Sequence, residues 1–337
     1  MNHLSYLKPL ENDNCHYFTK VNEVFKYIPK YRRQLALTAQ NYQNSGKVIC
    51  DQDYPIELIC FRPSQPTMNP LILMGGMGPL AGIDGFEKAC QFFGNSREII
   101  LLQACSVPSR TAVMAEKQAL GSTESSPLER KLVETIEQLI CLAVSQIKSH
   151  RSPISIIFLC NAVHYFLPQV EQRLARNYPL IAQKIKWISL IQSVVKNLVD
   201  NNLQRPLLLC TTATRQGKTY SNYLKNKNIN LLEPNDSLQS LLMDCIYQGV
   251  KACDYDYCCQ FGEQFFVELL QNQLKNQPNA DCIIAGCTEI PCLIQWLQTK
   301  ANCNQVVTNF LKDIPIVNPV QLALDNSIDE SILPIIF

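Results

Sequence analysis

Two of the sixteen cysteines stand where a thiol could take part in chemistry. Cys160 and Cys287 each follow a short apolar segment that predicts a buried strand, and each precedes a predicted helix. The positive end of a helix dipole favours the thiolate, which is the reactive form of cysteine. A polar residue, Asn161 or Thr288, comes next and can hydrogen-bond the sulfur or a developing oxyanion. These two positions are therefore the candidates for catalysis.

The separation of the two cysteines predicts how they are arranged. They lie about 127 residues apart, which is roughly the length of one domain. Like motifs at that separation predict two lobes that face each other across a cleft, each contributing one thiol. The alternative is that both are ordinary buried cysteines, because free cysteine packs as a small hydrophobic residue. The matched polar residues after Cys160 and Cys287 favour the first interpretation.

From residue 69 onward, short apolar strands alternate with amphipathic helices. This alternation is typical of parallel sheets that are covered by helices on both faces. It predicts an α/β protein of two pseudo-symmetric, doubly wound (Rossmann-like) lobes, with the active site in the cleft between them. Ligands in such folds bind beyond the carboxyl ends of the strands. The strands are predicted at 71–74, 98–104, 154–159, 186–190, 206–210, 282–285 and 314–317.

A segment with three prolines, residues 62–70, marks a predicted domain boundary. Residues 1–68 are predicted to form an N-terminal extension of unknown role, which packs on lobe one, covers the cleft or forms an oligomer contact. Lobe one, with Cys160, is predicted to comprise residues 69–183 plus 315–337. Lobe two, with Cys287, is predicted to comprise residues 184–314.

Charge and composition exclude several classes of protein. The 30 Lys and Arg residues balance 29 Asp and Glu residues, so the net charge of +1 provides no basic surface for nucleic acid. No apolar run approaches the roughly 20 residues that cross a membrane. Sixteen cysteines without a CxxC pair, beside only four histidines, disfavour a metal site. The absence of a signal-like N-terminal segment predicts a reducing, cytoplasmic location.

Six segments, in the same order along the chain, resemble the aspartate/glutamate racemase family, the cofactor-independent amino-acid racemases. Together they extend over about three quarters of the chain, from Leu71 to Asp325, and leave the N-terminal residues uncovered. The segments MGGMGPL and GCTEI are individually the most specific. The six are 74–80 (MGGMGPL), 107–110 (VPSR), 160–164 (CNAVH), 211–220 (beginning TTAT and ending in tyrosine), 286–290 (GCTEI) and 316–319 (IVNP).

The resemblance implies racemisation of an acidic amino acid, aspartate or glutamate, by two-base proton transfer and without a cofactor. One cysteine, as thiolate, removes the α-proton, and the other, as thiol, returns a proton to the opposite face. Cys160 and Cys287 are the predicted pair and exchange roles for the other enantiomer. The resemblance also implies a homodimer, the state in which members of the family are often found.

Further residues of these segments are implied in substrate binding. Arg110 matches the family's arginine near the substrate carboxylates, which a guanidinium binds through two parallel hydrogen bonds; taken alone, it would be interpreted as a surface arginine. His164 is implied as a supporting residue or as a structural histidine. Glu289 is implied as a residue that tunes Cys287 or caps its helix. The other predicted contacts are Gly76, Met77, Gly78, Asn161, Thr212, Thr214 and Thr288.

Departures from the family pattern keep alternatives open. Ala162 stands where the family commonly has threonine, and Asn222 where some members have lysine. One alternative is a catalytically altered amino-acid-binding or regulatory protein on the same scaffold, and another is a related small-diacid isomerase or decarboxylase. A third is a nicotinamide enzyme, because residues 76–81 match a dinucleotide fingerprint. Its acidic residue, Glu98, however stands at the start of the second strand rather than at its end.

Overall fold

The computed structural model of the chain describes residues 14–44, 56–105, 107–121, 125–274 and 280–328. These residues form two sheets, one of six strands and one of three. In chain order the strands are β1 (Cys15–Phe18), β2 (Glu57–Phe61), β3 (Leu71–Gly75), β4 (Ile99–Gln103), β5 (Ile154–Phe158), β6 (Ile185–Ile188), β7 (Pro206–Leu209), β8 (Cys282–Ala285) and β9 (Ile316–Val317).

Helices separate the strands along most of the chain. Two of the α-helices are continued by π-helical segments, Cys245–Val250 and Leu269–Gln273. The α-helices are α1 (Val21–Asn44), α2 (Pro79–Phe93), α3 (Arg110–Leu120), α4 (Pro127–Ser145), α5 (Leu167–Asn177), α6 (Pro179–Ala182), α7 (Leu190–Asp200), α8 (Thr212–Gln216), α9 (Ser221–Leu224), α10 (Asp236–Asp244), α11 (Tyr255–Glu268), α12 (Ile290–Thr299), α13 (Gln305–Asp313) and α14 (Pro319–Asn326).

The six-stranded sheet has the order β1-β2-β4-β3-β5-β6, with β2 and β4 antiparallel and the other neighbouring pairs parallel. Strands β2 to β5 are buried along their whole length, because helices cover both faces of the sheet. Successive residues of a strand face opposite sides. Ile72 and Met74 therefore pack with α3, α4 and α5, whereas Leu71 and Leu73 pack with α1, α2 and α14. We call this sheet and its helices lobe one.

The three-stranded sheet, β7-β8-β9, is parallel throughout. Leu207 and Leu209 of β7 pack with α10 to α13 on one face, and Leu208 packs with α7 and α9 on the other. We call this sheet and its helices lobe two. The prediction of an α/β protein with two doubly wound lobes is confirmed.

The described part of the N-terminal segment belongs to lobe one. Strand β1 pairs with β2, and β2 pairs with β4, so the segment adds two strands to the first sheet. Arg32 of α1 donates hydrogen bonds to Asp84 and to Glu87 of α2, the latter at 2.6 Å. Of the roles considered for residues 1–68, packing on lobe one is the one observed; residues 1–13 and 45–55 lie outside the described residues. The core residues of α1 are Val24, Ile28, Tyr31 and Leu35.

The chain crosses between the lobes at points that differ from the predicted boundaries. Strand β6, predicted to open lobe two, pairs with β5 in the first sheet, and β9, predicted for lobe one, pairs with β8 in the second. The crossings therefore follow β6 and β9. Both strands complete a sheet edge, and their short sequences do not specify which edge. The two crossing segments are neighbours, because α7 packs against α14. Residues 329–337 of the predicted lobe one lie outside the described residues.

Helix α1 offers a matched pair of leucines that tests its packing on lobe one. Leu35 is fully buried, whereas Leu37 is 62% exposed. We expect Leu35→Ala to lower the free energy of unfolding by about 2–5 kcal/mol, because it removes buried methyl groups and leaves a cavity. Leu37→Ala should change the free energy of unfolding by less than about 0.5 kcal/mol. Urea denaturation followed by circular dichroism measures both, and equal effects would contradict the packing.

Candidate functional site

Parallel pairing brings three of the predicted site segments to one edge of the first sheet. Gly75 lies opposite Gln103 near the carboxyl ends of β3 and β4, and Met74 lies opposite Phe158 at the end of β5. The loops that follow these strands carry the rest of the MGGMGPL segment and the VPSR and CNAVH segments. Side chains from the three loops therefore meet at the same edge.

The second sheet is built in the same way. Leu209 lies opposite Ala285 at the carboxyl ends of β7 and β8. Thr211 follows β7 and caps α8, its hydroxyl accepting a hydrogen bond from the backbone N–H of Thr214 at 3.4 Å. Cys287 follows β8 after one intervening residue. The edge that carries Thr211 and Cys287 faces the edge that carries Cys160, since residues of both line one cavity.

The cavity between the lobes has a volume of about 20 Å³. That volume accommodates about one water molecule, so the lobes are closed on each other. The predicted site residues that line it are Met77, Arg110, Cys160, Asn161, Thr214, Cys287, Thr288 and Glu289. The other lining residues are Thr111, Ala162, Thr211, Tyr247, Lys251 and Gly286.

Cys287 and Glu289 form a buried pair at the start of α12. The Cys287 Sγ donates a hydrogen bond to Glu289 Oε2 at 2.8 Å, and the Thr288 hydroxyl donates to the same oxygen at 3.2 Å. The second oxygen, Glu289 Oε1, would lie 1.4 Å from a Cβ added at Gly78. Gly78, from the other lobe, is therefore a glycine because the carboxylate of Glu289 occupies the space of a side chain there.

The environment of Cys287 favours the protonated thiol. Burial raises the pKa of Cys287 well above its ordinary value, and the charge of Glu289 and the hydrogen bond to it raise this pKa further. The ammonium of Lys251 lowers the pKa of Cys287, but by less than burial raises it. In this closed form burial therefore opposes the thiolate that the helix N-terminus is expected to favour at Cys287.

Cys160 differs from Cys287 in its surroundings. It is half-buried, and the residues after it, Ala162–Tyr165, form a short 3₁₀ turn, so that α5 begins only at Leu167. The helix predicted after Cys160 therefore begins as a 3₁₀ turn at Ala162 and becomes an α-helix only at Leu167. Its neighbour Asn161 is 2% exposed and accepts a hydrogen bond from the Tyr220 hydroxyl at 2.6 Å.

The amide nitrogen of Asn161 provides a donor at the cavity. This atom, Nδ2, is buried and makes no hydrogen bond to any residue that the structure describes. Burial raises the pKa of Tyr220, so its phenol keeps the proton that it donates to Asn161. That bond fixes the amide with its oxygen toward Tyr220, which leaves Nδ2 for a carboxylate or oxyanion of a ligand.

Arg110 is a buried residue of the site and not a surface arginine. It is 6% exposed and is the first residue of α3, which Ser109 caps. Its guanidinium donates to the carbonyl oxygens of Met77 at 3.0 Å and of Pro108 at 3.1 Å. These bonds hold the guanidinium at the cavity wall, between the loops that follow β3 and β4.

Four predicted contacts lie outside the cavity lining: Gly76, Gly78, Thr212 and His164. Gly76 has a φ of +85°, and a Cβ there would lie 2.2 Å from the backbone nitrogen of Ala104, so its role is to permit this turn. Thr212, the first residue of α8, lines a separate surface groove. Thr211, which caps this helix, lines the cavity instead. His164 is buried.

Two of the unpredicted lining residues come from an element that carries no motif. Tyr247 lies in the π-helical segment after α10, and Lys251 follows its end. The Tyr247 hydroxyl lies 3.4 Å from the Thr111 hydroxyl of lobe one. Tyr247 and Lys251 do not follow a strand directly, so the pattern of residues after strands does not predict them. Thr111 and Thr211 are neighbours of predicted residues. Their position at the cavity depends on where α3 and α8 begin, which the sequence pattern does not fix.

The dinucleotide alternative is not supported by the position of Glu98. This residue precedes β4, at the edge of the sheet opposite the cavity. Its carboxylate accepts hydrogen bonds from the backbone N–H groups of Lys148 and Ser149 and pairs with Arg62.

Within the described ranges, no group of three or more His, Cys, Asp or Glu residues could hold a metal ion. Over those same residues, no helix is long and apolar enough to cross a membrane.

Comparison with solved structures identifies the fold. Picrophilus torridus aspartate racemase matches with a TM-score of 0.53 and 20% sequence identity, over 77% of this chain and 93% of that chain. The chain has the aspartate racemase fold. An aspartate racemase homologue from Pyrococcus horikoshii OT3 matches with a TM-score of 0.51 and 16% identity, over 77% of this chain and 98% of that chain. The resemblance that the motifs indicate is thereby confirmed for the fold.

Comparison of sequences also finds a relative of known sequence. An uncharacterized protein encoded in the pnlA 3′ region of Pectobacterium carotovorum subsp. carotovorum is 30% identical over 112 residues, which are 33% of this chain and 70% of that protein. The two proteins belong to one family. No family model matches the chain.

The contact between Cys287 and Glu289 can be tested through the pH at which the Cys287 thiol ionises. Glu289→Gln removes the negative charge that raises the pKa of Cys287. We expect the pH at which Cys287 reacts with iodoacetamide to move downward in this variant, because a neutral amide no longer disfavours the thiolate. Site-resolved mass spectrometry of the alkylated protein measures this midpoint. Glu268→Gln, on α11 outside the cavity, is the control, and an unchanged midpoint in Glu289→Gln would contradict the pairing.

Buried His164 predicts a pH dependence of stability. Burial lowers the pKa of His164 from 6.5 to about 3, so the imidazole is neutral near neutral pH and does not act there as an acid. As the pH falls from about 6.5 to 3, the unfolded chain binds a proton at this residue that the folded chain does not, and stability falls. We expect His164→Gln to reduce this acid-side loss by a few kcal/mol, on the order of the linked pKa difference.

Urea denaturation at several pH values measures the effect of the histidine substitution. Exposed His150 provides the matched control, since His150→Gln should leave the pH dependence as it is in the wild type. The slope of stability against pH is the readout, rather than stability itself, because glutamine in a buried position also alters packing. Equal slopes for His164→Gln and the wild type would show that His164 titrates normally in the folded protein.

Proposed function

We propose that this protein racemises an acidic amino acid, without a cofactor, by two-base proton transfer between Cys160 and Cys287. The observation that carries the proposal is that these two thiols, which follow strands of two different sheets, line the same cavity. A thiol on each side of a substrate is what removal and return of the α-proton on opposite faces requires. The match to aspartate racemase structures supports the same reaction.

Proton transfer balances between the two sulfurs. In one direction the Cys160 thiolate takes the α-proton and becomes a thiol, while the substrate carbon becomes a carbanion. The Cys287 thiol then gives its proton to the opposite face and becomes a thiolate. The raised pKa of Cys287 suits it to hold a proton until the carbanion forms. The reverse direction exchanges the two roles and converts the other enantiomer.

The negative charge that develops on the substrate carboxylate needs fixed donors. Arg110 and the Asn161 amide nitrogen line the cavity with the two thiols, and both are buried. Donors held in place in a site without bulk water stabilise a developing charge more than water does. The Arg110 guanidinium is positioned by backbone carbonyls, so it needs little rearrangement when the charge develops.

Substrate entry requires the lobes to separate. A cavity of about 20 Å³ holds about one water molecule, whereas an amino acid is several times larger. Contacts such as that between Thr111 and Tyr247 join the lobes beside the cavity and must break on opening. The crossing segments next to α7 and α14 are the points about which the lobes would move.

A second candidate is an amino-acid-binding protein that has lost racemase activity. It is favoured by one observation: Ala162 lines the cavity, at a position where the resembling family commonly has a threonine hydroxyl. An alanine there removes a hydrogen-bonding group from the wall beside Cys160. Binding would then persist through Arg110 and Asn161, while proton transfer would be slow or absent.

Deuterium exchange distinguishes the two candidates. The protein is incubated in D2O with the L and D forms of aspartate and glutamate, and loss of the α-proton is followed by NMR together with optical rotation. We expect exchange with loss of chirality. Cys160→Ser and Cys287→Ser should each slow exchange by at least about 100-fold, since each removes one proton-transfer group.

Two cysteines outside the cavity lining serve as controls. Cys253 and Cys303 are half-buried, and Cys253→Ser and Cys303→Ser should exchange the α-proton at the wild-type rate. Binding of aspartate is measured in parallel by calorimetry. Binding without exchange in the wild type would overturn the racemase and support the binding protein, and full exchange in Cys160→Ser or Cys287→Ser would overturn the two-thiol mechanism.

A further inference from the structure

We infer that Tyr220 is a positioning residue, which orients the side-chain amide of Asn161 when the two lobes close. The inference rests on the proposed function and adds to it a residue that lies outside the cavity lining and acts through Asn161. Tyr220 follows α8 in lobe two, whereas Asn161 follows β5 in lobe one. The hydrogen bond between these two side chains therefore crosses from one lobe to the other.

The ring of Tyr220 is held by the core of lobe two. It is 1% exposed and packs in one hydrophobic cluster with Val194 and Leu198 of α7 and Leu208 of β7. Its hydroxyl reaches out of this cluster and donates to Asn161 Oδ1 at 2.6 Å. Because lobe two packs the ring on every side, the position of the hydroxyl does not depend on a ligand.

The hydrogen bond determines which way round the Asn161 amide lies. A carboxamide has an acceptor oxygen and a donor nitrogen, and these exchange places when the group turns over. Burial raises the pKa of Tyr220, so the phenol keeps its proton and needs an acceptor. Turning the amide over would place N–H groups against the phenol and take away the acceptor of a buried O–H, which costs free energy. The oxygen therefore stays toward Tyr220.

The nitrogen of the Asn161 amide gains from this orientation. Nδ2 is buried, belongs to a residue that lines the cavity and makes no hydrogen bond to any residue that the structure describes. Buried donors are normally paired, so this one has a bond to offer to a ligand. Donors that are oriented before negative charge develops on a substrate stabilise that charge better than donors that must first turn. Tyr220 thus prepares a donor for the reaction without touching the substrate.

A second contact between the lobes holds the same loop. The Thr288 hydroxyl of lobe two lies 3.3 Å from the carbonyl oxygen of Leu159, which precedes Cys160 directly. Lobe two therefore contacts the loop on both sides of Cys160, through Leu159 and through Asn161. Both contacts join different lobes and break when the lobes separate to admit substrate. The constraint from Tyr220 is thus present in the closed form and absent in the open form.

A double-mutant cycle tests whether Tyr220 acts through Asn161. The rate of α-proton exchange in D2O, with the amino acid that the wild type exchanges fastest, is measured for Tyr220→Phe, Asn161→Ala and the double variant. We expect Tyr220→Phe alone to slow exchange by about 10-fold, the effect of losing one hydrogen bond of ordinary strength. In the Asn161→Ala background it should slow exchange by less than about 2-fold, because the amide that it orients is gone. Equal slowing in both backgrounds would overturn the inference.

Tyr223→Phe is the matched control for the loss of a phenol hydroxyl. Tyr223 lies in α9, the helix that Tyr220 precedes, and its replacement leaves the hydrogen bond to Asn161 in place. We expect Tyr223→Phe to exchange the α-proton at the wild-type rate. Slowing equal to that of Tyr220→Phe would assign the effect to any phenol of this segment and would overturn the role of the bond to Asn161.

An NMR measurement keeps the inference testable if no racemisation occurs. The protein is labelled with ¹⁵N in its asparagine side chains, and the N–H signals of Asn161 are identified as those that Asn161→Ala lacks. We expect saturating succinate to move these signals in the wild type, because a carboxylate accepts from Nδ2, and to move them less in Tyr220→Phe. This result without exchange would overturn the racemase and keep the role of Tyr220. Equal movement in both proteins, or none in the wild type, would overturn the inference.

Discussion

The hydrogen bond between the Cys287 thiol and the Glu289 carboxylate is the interaction on which the site depends. A carboxylate removed from water must be hydrogen-bonded, and Glu289 Oε2 accepts from both Cys287 and Thr288. The pair keeps the thiol protonated in the closed form. It also fixes the sequence of the other lobe, because Glu289 Oε1 fills the space that a side chain at Gly78 would need. One carboxylate thus couples the GCTEI and MGGMGPL segments.

Much of the candidate site could be predicted from the sequence because parallel sheets constrain it. Arg110, Cys160 and Cys287 all follow buried apolar strands, and the carboxyl ends of parallel strands lie at one edge. What the sequence does not specify is which residue of a loop turns inward. Thr211, rather than Thr212, faces the cavity because α8 is capped there. Lys251 is not predicted at all, because it follows a helical segment and does not lie at the end of a strand.

The fold outside the site was harder to predict, for a related reason. The apolar strands and helices of both lobes are evident from their periodicity, but the edges of the sheets are not. Strand β2 joins β4 in antiparallel orientation, and β6 and β9 complete opposite sheets from those predicted. Long-range packing determines which strand lies at an edge. Helix α1 buries Leu35 and its neighbours against α2, and this packing places the N-terminal strands beside β4. A short strand sequence does not specify such a distant packing partner.

Closure of the lobes and ligand binding are linked at this cavity. Arg110 and Asn161 belong to lobe one, whereas Cys287 and Glu289 belong to lobe two, and all four are buried when the lobes meet. The buried Asn161 amide nitrogen makes no hydrogen bond to any residue that the structure describes, so a ligand that offers it an acceptor stabilises the closed form. Closure also brings Cys160 and Cys287 to the same cavity, so the ligand that best stabilises the closed form is the one placed between the two thiols.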